Sequence, residues 1–164
     1  MFENFKDNIV FATSAENSNK AYHFDTSRVF SMMNMFRNTK TVNPGRFATS
    51  KWDTGRVLSM NGMFSYTAKV DAFTTAWDVR NVRDMSWMFI SAERARPVTT
   101  NWNTESVTNM KKMFAHTVIA QPDTSNWNTK SVTDMSHMFF AALSVRPNTS
   151  NWKTGNVTDM SVMF

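Results

Sequence analysis

The chain contains no cysteine, which excludes disulfides, thiolate metal sites, cysteine nucleophiles and lipidated cysteines together. Glycine and proline are scarce, four of each in 164 residues, and no glycine-rich loop is available to cradle a phosphate. No apolar run approaches the roughly 18 residues that span a bilayer. Dense runs of one charge are also missing. Eighteen Lys and Arg stand against thirteen Asp and Glu, a net charge of +5, with Arg94/Arg96 and Lys111-Lys112 the nearest thing to a basic cluster. So even a balance describes a mildly basic surface, and nucleic acid is not expected as a partner. The N-terminus places Glu3 and Asp7 where a secretory signal carries basic residues before an apolar stretch. The three histidines, His23, His116 and His137, share no common position, and no Ser-His-Asp set or carboxylate pair can be assembled. No enzyme activity, cofactor or metal is therefore expected.

What is present is a repeat. Tryptophans fall at Trp52, Trp77, Trp102, Trp127 and Trp152, each 25 residues after the last. Five places on stands a valine, from Val57 to Val157, followed by a Met-x-x-Met-Phe string that runs from Met60/Met63/Phe64 to Met160/Met163/Phe164. A degenerate first copy has Phe24, Val29, Met32, Met35 and Phe36, offset by 28 residues from the next. A fixed period of this size is the mark of a stacked array in which each unit buries its apolar face against its neighbours. The division expected is a capping helix and loop over residues 1–21, then a six-copy solenoid over 22–164 whose last copy is incomplete and carries no C-terminal cap.

Within a repeat the spacing predicts an α/β unit. Val132, Met135, Met138 and Phe139 lie at i, i+3, i+6 and i+7, which suits one face of a short helix. Ser131 and Asp134 are placed as a capping box for it. The Thr-x-x-Trp segment, opened by proline at Pro97, Pro122 and Pro147 and with Thr49, Thr74, Thr99, Thr124 and Thr149 in one register, predicts a short strand that pairs in parallel from copy to copy. Twelve of the fourteen methionines occupy the two fixed positions of the six copies, as gap-filling core residues rather than soft metal ligands.

The string Trp127-Asn-Thr-Lys-Ser-Val-Thr-Asp-Met-Ser-His-Met-Phe139, and its near twin at 152–164, resembles the repeat of the BspA-like leucine-rich-repeat surface proteins, also seen in mycoplasma-type lipoproteins. The resemblance covers about residues 22–164 and implies a leucine-rich-repeat-like right-handed solenoid. It also implies a cell-surface or extracellular protein that binds a protein or glycan partner in an adhesion-like role. One departure is that a threonine stands where the family packs an isoleucine before the tryptophan.

Two surfaces follow as candidates. One is the threonine column Thr49, Thr74, Thr99, Thr124 and Thr149, bordered by Arg46, Arg96 and Arg146, a face for protein, glycan or ice. The other is the terminal unit, Trp152, Val157, Met160, Met163 and Phe164, through which a structural subunit of a filament, appendage or virion would assemble end to end.

Overall fold

The computed structural model describes residues 25–39, 41–42, 49–70 and 74–164. The expected capping helix over 1–21, together with His23, Phe24 and Arg46, lies outside them. Successive copies lie side by side, joined through single parallel bridges that run Ser31, Ser59, Asp84, Asn109, Asp134, Asp159. Each bridge partner is the same repeat position one copy later, so the chain forms a stack of coils.

The expected α/β unit is overturned. Among the described residues there is no α-helix, and the Met-x-x-Met-Phe strings are turns. The only strands there are β1, Thr41–Val42, and β2, Lys69–Val70, which pair in parallel with Thr41 opposite Lys69. They follow the first two Met-Phe pairs instead of preceding the tryptophans. A 3-10 turn covers Thr49–Lys51, and the Pro-x-Thr segments before Trp102 and Trp127 form no strand.

The physical reason is visible in the backbone hydrogen bonds. An α-helix sends every N–H to the carbonyl four residues back. Here the partners alternate. The N–H groups of Met110, Lys112, Phe114 and His116 donate to the carbonyls of Asp134, Ser136, Met138 and Phe140 in the following coil, at 2.8–3.0 Å. The N–H groups between them, of Met113, Ala115 and Thr117, donate three residues back to Met110, Lys112 and Phe114. Every second amide is thus a rung between coils and every other one closes a turn, which satisfies the buried backbone without helix or regular sheet. The third residue of two successive turns, Lys112 and His116, has a positive φ of 54° and 57°, as type II turns require and helices forbid. The same alternation holds in the coils on either side.

Read as turns, the core pattern becomes simple. Thr99 to Trp102, Thr104 to Val107, Met110 to Met113 and Phe114 to Thr117 are each the first and fourth residues of a turn closed by the fourth residue's N–H. All eight side chains are buried. An i, i+3 spacing belongs to turn ends as much as to helix faces, and here the turn accounts for it.

Polar residues set the corners. Asp123, Asn128 and Asp134 each accept the N–H two residues on through a side-chain oxygen, at 3.0, 3.2 and 2.8 Å. These are Asx turns, so Asp134 holds the N–H of Ser136 and does not make the capping box expected with Ser131. Between the corners the aromatic rings stack along the axis. Phe36, Phe64, Phe89, Phe114, Phe139 and Phe164 form one continuous column with centroids 5.3–6.0 Å apart. Trp102, Trp127 and Trp152 stack beside it at 6.4 Å. Offset stacks at such distances are favourable beyond the area they bury.

Candidate functional site

The threonine column is not presented to solvent. Thr49, Thr74, Thr99 and Thr124 are at most 1 % exposed, and only Thr149 is open. Their hydroxyls act as rungs. Thr74 Oγ1 donates to the carbonyl of Val98 at 2.7 Å and accepts its N–H at 2.9 Å, replacing a backbone pair. Thr99 and Thr124 donate to the carbonyls of Asp123 and Asn148 in the same way. A second column does likewise two residues after the tryptophan, where Thr54, Thr104 and Thr129 reach the carbonyls of Asp78, Asn128 and Lys153. A short β-branched hydroxyl fits a site that must be apolar on one side and polar on the other, which explains threonine where an isoleucine was expected.

Arg96 and Arg146 are exposed, and Arg96 lines a shallow recess of about 470 Å³ with Pro97, Ile119, Gln121 and Ser144. With Thr49, Thr74, Thr99 and Thr124 buried, these threonines form no surface that the exposed Arg96 and Arg146 could border.

A more varied set of residues, mostly half-buried to exposed, occupies the positive-φ positions of the Met-Phe turns. One such column reads Asn34, Gly62, Trp87, Lys112, His137 and Val162; the other reads Asn38, Tyr66, Ser91, His116 and Ala141. In the left-handed region a side chain costs about 1–2 kcal/mol relative to ordinary conformations, yet ten of these eleven positions carry one. The rungs on either side fix the backbone there, and the residue type is free to change. Cations lie on aromatic rings along this face, Arg37 over Tyr66 at 5.7 Å and Lys112 over Trp87 at 4.6 Å. His116 and His137 meet Phe140 edge-on at 5.2 and 5.7 Å. Of the two positions after the first methionine of a string, Ser86 and Ser136 are buried while Trp87 and His137 beside them are half-buried, and Lys111 and Lys112 are both half-buried. The signal for this face was Trp87, the one tryptophan of six outside the 25-residue register.

The terminal unit divides. Met163 is buried and Trp152 and Val157 are half-buried against the preceding coil, while Met160 and Phe164 are exposed, the latter at 70 %. Phe164 stacks on Phe139 through one face only.

The ionised groups are arranged for structure. Hydrogen bonds from Ser27, Ser125 and Ser161 hold the carboxyls of Asp25, Asp123 and Asp159 below the usual carboxylate range. The hydrogen bond from Lys130 does the same for Glu105, linking two adjacent coils. Lys111 lies 3.8 Å from Asp134. Among the described residues, no three His, Asp or Glu converge as metal ligands, and no helix is long and apolar enough to cross a membrane.

The chain matches the family described as "Mycoplasma protein of unknown function, DUF285" twice, over residues 3–117 and 94–164, which together run nearly its whole length. No curated protein and no solved structure matches it. The chain belongs to this family of mycoplasma proteins, which at the broad level is that of the BspA-like repeats.

Proposed function

We propose that the protein is a non-enzymatic interaction module, presenting side chains from a rigid stack of coils to a protein or glycan partner at the cell surface or outside the cell. The observation that carries this reading is a contrast between columns. Interior positions repeat the same residue types and are spent on rungs and stacking, whereas the outward positions of the Met-Phe turns change from Asn to Gly, Trp, Lys, His and Val along the stack. A scaffold whose backbone is fixed independently of its outward side chains suits recognition, because binding then requires little ordering. The likeness to BspA-like surface proteins supports the same class of function and the surface address.

The test is an array of immobilised glycans and surface proteins probed with the wild-type chain and with a variant in which Tyr66, Trp87, Lys112 and His116 are all changed to serine. Capture that disappears in the variant while its circular dichroism is unchanged is the expected result. Capture that survives the four changes contradicts the assignment of this face.

A second reading, a structural subunit that packs its terminal coil on another copy, draws on the exposure of Met160, Val162 and Phe164 at one end of the stack. A following coil in a longer chain would cover the same face. Light scattering across a wide range of concentration separates the two readings. A constant mass of 18.9 kDa fits the module, and growth into rods fits the subunit.

A further inference from the structure

Resting on the interaction reading and narrowing it, we propose that the groove over Gly62, between Tyr66 and Trp87, is a subsite for an acidic sugar, a pyranose ring bearing a carboxylate. Gly62 is the single glycine in an outward column whose other described members all carry side chains. A Cβ there would lie 2.4 Å from Asn34 Oδ1, so the neighbouring asparagine sits directly against the bare backbone. Asn34 thus fills the space a side chain on the buried Gly62 would take, and beside it opens a groove of about 280 Å³, lined by Asn34, Arg37, Asn61, Ser65, Tyr66 and Trp87. That is near the lower end of small-ligand sites, about 300 Å³, and suits one ring rather than a folded surface.

The lining supplies what such a ring needs. The faces of Tyr66 and Trp87 carry the negative lobe of the aromatic quadrupole, which attracts the weakly positive axial C–H bonds of a pyranose. Asn61 spends its amide N–H on Ser86 Oγ at 2.6 Å, which leaves its carbonyl oxygen to accept from a sugar hydroxyl. The Asn34 amide has no side-chain partner among the described residues and supplies both a donor and an acceptor. The charge selects the sugar. Arg37 and Lys112 flank the two rings, and each is settled on an aromatic face, with no carboxylate paired to either among the described residues. Arg37 offers a planar pair of donors that matches a carboxylate in two hydrogen bonds.

The probes are sialyllactose, a hexuronate disaccharide and lactose, each titrated against the whole chain by saturation-transfer NMR and calorimetry. Saturation transfer to the acidic probes is expected, with lactose weaker by about tenfold, the ratio equivalent to a single charge-assisted contact. Arg37→Gln should erase the preference for the acidic probes and leave lactose unchanged. Trp87→Ala should abolish binding of all three, and its unchanged circular dichroism would show the fold intact. Arg37 is exposed, so that variant tests the groove even where Trp87→Ala disturbs its turn. No transfer to either acidic probe overturns the subsite. So does acidic binding that survives both variants, and a peptide ligand displacing none of the sugars would move the partner to another part of the face. If the array described above still shows capture by Tyr66, Trp87, Lys112 and His116, the interaction reading stands while the acidic-sugar subsite falls.

Discussion

The coil at 127–139 and the coil at 152–164 share nearly the same string, yet they live in different environments. Trp127 is 1 % exposed between Trp102 and Trp152, whereas Trp152 is only half-buried. Met135 is fully buried and Met160 is 45 % exposed. Thr129 bridges to Lys153, but Thr154 at the same position in the last coil is exposed. Identical residues therefore acquire their burial from the coil that follows, and stability resides in the interface between copies more than within one copy.

The sharpest way to probe this contrast is to make the same change in both coils. Trp127→Ala should destabilise the fold by about 3–5 kcal/mol in urea unfolding, the usual range for a large buried aromatic. Trp152→Ala should cost less than half as much, because part of its surface is already in water. Equal losses would contradict the idea that the neighbour supplies the burial.

Glycines give a second matched pair. Gly62→Ala places a Cβ at positive φ and against Asn34, and should cost at least about 1–2 kcal/mol from the backbone alone. Gly155→Ala meets nothing within 4 Å and should leave stability little changed, or raise it by about 0.4–1 kcal/mol through the unfolded chain. A smaller pair is Thr99→Val against Thr149→Val. The first removes the hydrogen bond from the buried Thr99 hydroxyl to the carbonyl of Asp123 and should lose about 1–2 kcal/mol. The second, at an exposed site, should stay within about 0.5 kcal/mol.

The smallest effect is set by pH. Asp25, Asp123 and Asp159 have carboxyls held below their ordinary range in the folded chain by serine hydrogen bonds. Their ionised forms are therefore favoured by folding, and the stabilisation is present above the unfolded carboxylate range. It is lost as pH falls through and below that range, when the unfolded chain binds protons first. Thermal unfolding should show a shallow loss on the acid side, reduced in Ser125→Ala. These groups are solvent-exposed, so the slope should be gentle.

Much of the stack was legible from residue spacing alone. The period, the Trp, Val, Met and Phe columns and the core role of methionine all follow from it, because burial against a neighbour demands the same residue at the same place. The turn was not legible, because Met110, Met113 and Phe114 fit a helix face and a pair of turn ends equally well. What decided between them was where alternate amides find partners, and those partners lie a whole coil away. Threonine misled for a related reason. Its branching suits a strand, but Thr74, Thr99 and Thr124 use their hydroxyls to replace backbone rungs inside the stack. The outward face left a fainter trace in Trp87 and Gly62, two residues that break an otherwise regular pattern.

The central claim is that each Met-x-x-Met-Phe string is a pair of turns tied to the next coil. Scalar couplings across hydrogen bonds, measured by NMR on labelled protein, test it directly. The N–H of Lys112 should couple to the carbonyl carbon of Ser136, and that of Phe114 to Met138. Couplings from those amides to Thr108 and Met110, four residues back as in a helix, would contradict it.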